Sequence, residues 1–293
     1  MSTILKWAGN KTAIMPELIK HLPEGSRLVE PFAGSCAVMM ATEYPHYLVA
    51  DINPDLINLY RQVQGNSESF IAVAKGFFDG ANNESAYYKV REEFNYSREV
   101  NNFWRAIYFL YLNRNGYRGM CRYNKSGYFN VPYGNYKEPY FPEKEIRAFA
   151  EKAKRATFIC AHYEETLSML RPDDVIYCDP PYASDDGEIF TSYHTNGFNT
   201  DDQYRLASVL TYRAREGYPV IASNSDSMLA RSLYREFQCV KVTAPRSLGV
   251  AAGSSKSAQE IIAVYDTTAA SKEYPWIAFD RGTEFTQPLN DGV

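Results

Sequence analysis

Val175-Ile176-Tyr177-Cys178-Asp179-Pro180-Pro181-Tyr182 is an apolar, β-rich run that stops on a carboxylate, two prolines and an aromatic ring. A short apolar stretch bounded in this way reads as a buried strand, and the prolines end it because neither has an N–H for a ladder. Similar runs lie on both sides: Leu28-Val29-Glu30, Tyr47 to Asp51, Thr157 to Cys160, Val220 to Ser223, Cys239 to Val242 and Ile261 to Tyr265. Helical patterns separate most of them, Tyr204 to Arg215 being an example. Strands alternating with helices predict an α/β fold with a doubly wound, mostly parallel seven-stranded sheet. The last two strands, joined by the Gly/Ala/Ser-rich link from Leu248 to Ser257, also fit a hairpin.

The alternation breaks between about Asn53 and Tyr140, where the pattern is helical, most clearly from Asn101 to Asn113. This predicts a helical domain inserted between the second and third strands. The expected division is 1–54 with 144–270 for the sheet domain, 55–143 for the insert, and 271–293 for a C-terminal tail of little periodicity.

The formal net charge of −4 argues mildly against nucleic acid as a partner when read as a total. It hides a patch. Asn113 to Lys137 holds five basic residues (Arg114, Arg118, Arg122, Lys125, Lys137), six aromatics (Tyr117, Tyr123, Tyr128, Phe129, Tyr133, Tyr136) and no carboxylate. Val240 to Gln259 adds Lys241, Arg246 and Lys256, again without an acid. Cations meet phosphates and guanine edges while planar rings stack on bases, so this mixture suits nucleic acid; it also describes a solvated, turn-rich loop. The five cysteines form no Cys-x-x-Cys pair and the four histidines have no ligand spacing, so no metal is expected. No secretory leader or apolar membrane span is apparent, which with unpaired cysteines fits a reducing cytosol, bacterial or that of a host.

Open parallel sheets bind ligands at the carboxyl ends of their strands, which puts Asp179, Pro180, Pro181 and Tyr182 in the expected cleft. An aromatic amino nitrogen delocalises its lone pair and is a poor nucleophile. A carboxylate (Asp179) and a carbonyl (Pro180) accepting its two N–H bonds would bias it towards tetrahedral geometry, with Tyr182 offering a ring for a base to stack on. The plainer reading is a proline-rich turn that closes a strand. Val29-Glu30-Pro31-Phe32-Ala33-Gly34-Ser35 follows the first strand with a small-residue turn, and Asp51 ends the second strand, where an acid can accept from ribose hydroxyls. Together they suit a cofactor containing adenosine.

On these motifs the chain resembles the Dam family of DNA adenine methyltransferases. Lys6-Trp7-Ala8-Gly9-Asn10-Lys11 is similar to the family's N-terminal cofactor motif, Val29 to Gly34 to its cofactor loop, and Ala50 to Asn53 to the stretch with the ribose-binding acid. Leu112-Asn113-Arg114 through Asn130-Val131-Pro132 resembles the recognition segment, and Tyr177 to Tyr182 the catalytic motif. The resemblance implies a Rossmann-like methyltransferase fold, S-adenosylmethionine as cofactor without a metal, double-stranded DNA as partner with no obligate protein partner, and GATC as target. It implies that Trp7, Lys11, Phe32, Gly34, Asp51, Tyr163 and Asp179 line the cofactor site. Lys6 and Arg122 match guanine-reading positions, Met120 a contact to a thymine methyl, and Tyr117 an aromatic that inserts into the duplex; Arg118, Asn124 and Tyr136 match other positions beside DNA.

The chain also departs from the family. Asn10 stands where glycine is usual, and no glycine occurs at Ser35-Cys36, where a side chain is expected to crowd the cofactor. Arg118 and Asn135 stand where Asn and Arg are expected, which suggests an exchange of phosphate contacts. Cys178 precedes Asp179 within a strand and is expected to pack rather than react. Two rival readings are an amino-methyltransferase of another sequence or substrate, and a DNA-binding protein without catalysis.

Overall fold

A computed structural model describes residues 3–96, 101–182, 198–245 and 257–265. Its centre is a seven-stranded sheet of β1 (Arg27–Glu30), β2 (His46–Asp51), β3 (Ala156–Cys160), β4 (Asp174–Cys178), β5 (Val220–Ser225), β6 (Gln238–Pro245) and β7 (Ser257–Val264). The order is β3-β2-β1-β4-β5-β7-β6. The first five in that order are parallel, while β7 runs antiparallel to both β5 and β6. Both readings of the final strands therefore meet in one sheet: parallel strands, then an antiparallel pair at the edge. β4 is buried at every position, as a central strand covered on both faces must be. Successive strands run outward from β1 in one direction and from β4 in the other, so the strand order reverses between β1 and β4. The carboxyl ends of those two strands open the crevice in which doubly wound sheets bind ligands.

The helices in chain order are α1 (Met15–Leu18), α2 (Ala37–Ala41), α3 (Pro54–Gly65), α4 (Ser67–Gly80), α5 (Glu84–Tyr96), α6 (Asn102–Asn115), α7 (Glu143–Ala153), α8 (Tyr163–Ser168), α9 (Thr200–Arg215) and α10 (Met228–Leu233). Local chemistry sets several starts. Asn53 caps α3 by accepting from the Asp55 and Leu56 N–H groups, with Pro54 at the first helical position, and Asn199 and Asp202 form a reciprocal capping box on α9. Four helices, α3 to α6, fill the span from Pro54 to Asn115, as the loss of strand patterning predicts.

Two hydrophobic clusters flank the sheet. One joins Leu28, Tyr47 and Val49 of the strands to Leu56 and Tyr60 of α3 and on to Phe70 of α4 and Phe109 of α6. The other packs Ile176 and Cys178 against Leu206 and Leu210 of α9 and Ala230 of α10. The Cys178 side chain is fully enclosed there and packs, as expected. The C-terminal half of α6 is buried almost all round, which marks it as the spine of the inserted helices. Among the described residues no helix is long and apolar enough to cross a membrane. The link through Arg246 and Lys256, and the tail 271–293, lie outside the described residues.

Candidate active site and DNA interface

β4 delivers Asp179 to the crevice. The Lys11 ammonium, buried on a 3-10 turn (Lys11–Ala13) that Asn10 caps, lies 2.9 Å from Asp179 Oδ1 and donates to the Gly9 carbonyl at 2.5 Å. It also stands 4.8 Å from the centre of the Tyr182 ring, occupying one face. Lys11 and Asp179 form a largely buried ion pair through Oδ1. Burial pushes the Asp179 carboxyl up to about 6, with Lys11 opposing that shift. The result is a largely buried carboxylate at the end of β4, ionised at neutral pH and held beside the Lys11 ammonium.

The turn itself is held by polar groups from distant elements. Gln203 of α9, buried, donates to the Pro181 carbonyl at 2.6 Å and accepts from Asn224 of β5 at 3.3 Å. The Tyr182 hydroxyl donates to Glu260 of β7 at 2.7 Å. None of Gln203, Asn224 and Glu260 carries a local sequence signal.

On the β1 side, the Ala33 N–H donates to the Ala50 carbonyl at 2.8 Å and the Gly34 N–H to Asp51 Oδ2 at 3.1 Å, folding the turn back over β2. Asp51 Oδ1 accepts from the Asn53 N–H at 2.9 Å. Gly34 has φ +46, and a Cβ there would come within 2.9 Å of Trp7 Nε1; only glycine lets the indole lie on the turn. Phe32 stacks on Tyr163 at 5.6 Å and meets Phe198 edge-on at 5.8 Å. Tyr163 opens α8, three residues beyond β3, and is 3% exposed, so Phe32 presents the larger open face of this aromatic wall. Phe198 follows a stretch without periodicity and could not be singled out. Phe32 and Gly34, Asp51, Tyr163 and Asp179 thus lie at or just beyond the carboxyl ends of β1, β2, β3 and β4, with Trp7 against Gly34 and Lys11 against Asp179.

Cys36 takes the left-handed backbone conformation, φ 58°, at the start of α2, and its side chain is enclosed in the core. The loop accommodates the missing glycine in its backbone rather than by placing a thiol in the crevice. A left-handed non-glycine residue costs about 1–2 kcal/mol. Cys36→Gly is expected to relieve that strain while forfeiting a buried side chain, leaving cofactor affinity within about twofold by calorimetry. A several-fold tighter complex would mean that the side chain crowds the ligand after all.

Beyond α6 the chain forms a narrow irregular ribbon. Isolated bridges join Gly116 to Tyr133 and Tyr123 to Phe129, the Asn130 N–H donates to the Arg122 carbonyl at 3.0 Å, and Asn124 Oδ1 accepts from the Ser126 and Tyr128 N–H groups, closing the tip. Asn124 is therefore built into the turn through its oxygen. Arg122 Nε and Nη2 donate to the Asn130 side-chain and backbone oxygens at 2.7 and 3.1 Å. Tyr117 and Arg118 are exposed and Met120 is half-buried. Arg118 and Asn135 both adopt positive φ, 54° and 51°, a region that suits asparagine better than arginine. One basic residue of this window, Arg114, is turned inward: it is buried and donates to the Ile4 and Thr3 carbonyls at 2.9 and 3.0 Å.

The ribbon is fastened to the crevice. Asn113, buried, accepts from the Lys6 N–H at 3.0 Å and donates to the Lys6 and Gly119 carbonyls at 2.8 Å each. Gly119 has φ +66, and a Cβ there would collide with the Lys6 side chain. The Lys6 ammonium stands 4.2 Å from the centre of the Tyr136 ring. Tyr123 donates to Asp55 Oδ2 at 2.7 Å, and Arg105 pairs with the other oxygen of that carboxylate at 2.6 Å. Lys6 is thus brought against Gly119 and Tyr136, and Tyr117, Arg118, Met120, Arg122 and Asn124 lie along the same ribbon.

A doubly wound sheet with an Asp-Pro-Pro-Tyr turn at its switch point and a basic, aromatic ribbon beside it defines an enzyme acting on an amino group of nucleic acid. The family model for D12 class N6 adenine-specific DNA methyltransferases matches residues 7–248, and the chain belongs to that family. It is 67% identical over 280 residues to the retron Ec67 DNA adenine methylase of Escherichia coli, covering 96% of this chain and 95% of that one. It is 45% identical over 271 residues to the DNA adenine methylase of Vibrio cholerae serotype O1, with 92% and 97% covered. Identity to the DNA adenine methylase of Escherichia coli strain K12 is also 45%, over 265 residues, with 89% and 94% covered. The reaction of the class is methylation of adenine N6 in DNA.

Proposed function

We propose that the chain uses S-adenosylmethionine to methylate the amino nitrogen of an adenine flipped out of double-stranded GATC. The observation that carries this reading is the largely buried Asp179 carboxylate at the end of β4, ionised at neutral pH and paired with Lys11 beside the Tyr182 ring. The cofactor fits the residues present. Phe32 and Tyr163 supply an aromatic wall for an adenine ring, Asp51 ends β2 in hydrogen-bond contact with the Gly34 turn, and the absence of a Cβ at Gly34 lets the Trp7 indole lie against that turn. Trp7 and Lys11 close the same site from the N-terminal segment. When bound, the cofactor supplies an electrophilic sulfonium methyl. Asp179 and the Pro180 carbonyl accept the two amino hydrogens, which localises the lone pair on nitrogen and aims it. Tyr182 stacks on the flipped base with the face opposite Lys11, offsetting part of the unstacking cost of a few kcal/mol.

Lys6 and Arg122 are assigned to guanines, Met120 to the thymine methyl, Tyr117 to the opened base step, and Arg118, Asn124 and Tyr136 to the adjoining duplex. Residues 55–143 serve as the recognition insert, with 1–54 and 144–270 as the catalytic unit. DNA as substrate favours the cytosol as the place of action. Single-molecule sequencing of DNA from a methylation-free host expressing the chain is expected to show N6-methyladenine at GATC. Modification of another tetranucleotide would overturn the target, and modified cytosine would overturn the roles given to the crevice.

A further inference from the structure

Glu260 has no part in the roles assigned so far, yet its carboxylate is the partner of the Tyr182 hydroxyl. It stands on β7, opposite Ser225 of β5 and Val242 of β6, with 8% of its surface exposed. A carboxylate is rarely buried to this degree without a charge-assisted partner. Its Oε2 accepts from Tyr182 at 2.7 Å, across 78 residues of sequence. Burial, first of all, raises the Tyr182 phenol well above its ordinary value, so the hydroxyl keeps its proton and remains a donor.

We infer that Glu260 is a positioning residue for the methylation step, fixing the plane of the Tyr182 ring through its hydroxyl so that the target base is held beside Asp179. The ring has two side-chain torsions to lose. Lys11, 4.8 Å from the ring centre, restrains one face, but a cation over a ring tolerates in-plane sliding. A hydrogen bond at the para position removes that freedom and sets the tilt of the ring. The turn's backbone is held separately, by Gln203 on the Pro181 carbonyl, so the Glu260 contact acts on the ring and not on the path of the chain.

This inference rests on the reading that Tyr182 stacks on the target base, and the two separate experimentally. Four variants of the full-length chain, Glu260→Ala, Glu260→Gln, Tyr182→Phe and Glu260→Ala/Tyr182→Phe, would be measured by single-turnover methylation of a duplex with one GATC. Duplex affinity, cofactor affinity and the fluorescence of 2-aminopurine at the target adenine would accompany the rates. Glu260→Ala is expected to slow the methylation step about tenfold, the size expected for losing one hydrogen bond to a charged group, with both affinities within twofold. Glu260→Gln keeps an acceptor oxygen and should recover most of the rate, and also tests the role if the alanine variant does not fold. Tyr182→Phe removes the same contact together with the hydroxyl's interaction with Asp179, so it should be at least as slow as Glu260→Ala, and the double variant should be no slower than Tyr182→Phe. Additive losses in the double variant, or a Glu260→Ala rate equal to wild type, would overturn the inference. Tyr182→Ala completes the set: full activity there would sink the stacking role itself, whereas a dead Tyr182→Ala beside a fully active Glu260→Ala would sink only the role of Glu260.

Discussion

Asp179→Ala is expected to lower single-turnover methylation by at least about 10²–10³ while leaving duplex affinity nearly unchanged. In the proposed role the carboxylate accepts from the reacting nitrogen and contacts no phosphate, so its removal should act on the chemical step. Asp179→Asn should be almost as damaging. It retains an acceptor oxygen but loses the charge that makes the hydrogen bond strong, and its amide would point donors at Lys11 or at the amino group. A pH profile separates this from a merely structural loss. The proposed role needs the ionised form of a carboxyl raised to about 6, so kcat/KM should hold above that pH and fall about tenfold per unit below it. The Asn variant should lose that acid limb. Methylation by the alanine variant within tenfold of wild type would rule out the catalytic role, and a limb near the ordinary carboxylate value would rule out the desolvated state of Asp179.

Much of this arrangement is legible in the sequence because it rests on local patterns. The run Val175 to Cys178 followed by Asp-Pro-Pro-Tyr marks β4 to within one residue, and Asp51 ends β2, as its sequence suggests. Parallel strands covered on both faces are continuously apolar, and prolines and small residues punctuate them. What holds the site together is not local. Gln203 reaches Pro181 across 22 residues, Glu260 reaches Tyr182 across 78, and Asn113 reaches Lys6 across 107. A polar side chain on a helix or strand looks alike in sequence whether it faces water or clamps a turn.

The same limit explains Arg114 and Cys36. Arg114 counts as one more cation in a basic window, but it lies one position from Asn113 near the end of α6, on a turn that faces the N-terminal segment. Its burial lowers its affinity for the proton to about 10, a cost it meets by donating to main-chain carbonyls instead of to phosphate. At Cys36 the sequence shows the absence of a glycine, while only the structure shows that the backbone keeps the left-handed turn and sends the thiol inward. Side-chain type is visible from sequence; side-chain direction here depends on which turn of a helix, or which φ, the fold imposes.

Arg122 offers the sharpest test of target choice. Its Nε and Nη2 donors are tied to Asn130, which fixes the guanidinium plane and leaves Nη1 and the second Nη2 hydrogen outside those two bonds. Two parallel donors match the O6 and N7 acceptors that guanine shows in the major groove, a pairing no other base offers. Arg122→Ala should therefore slow methylation of GATC far more than that of sites already altered at the guanine it reads. The expected loss of discrimination is about 1–3 kcal/mol, roughly tenfold to more than a hundredfold. Arg122→Lys preserves the charge but not the fork, so it should lose most of the discrimination while the salt dependence of binding stays close to wild type. An arginine that only gripped phosphate would behave in the opposite way: alanine would weaken every sequence alike and flatten the salt dependence, and lysine would restore both. Single-turnover rates on GATC and its single-base variants, at two salt concentrations and for all three proteins, decide between a reader and an anchor. A uniform loss across sites assigns Arg122 to the backbone and leaves the guanine to Lys6, whose ammonium is already aligned over Tyr136 beside the same ribbon.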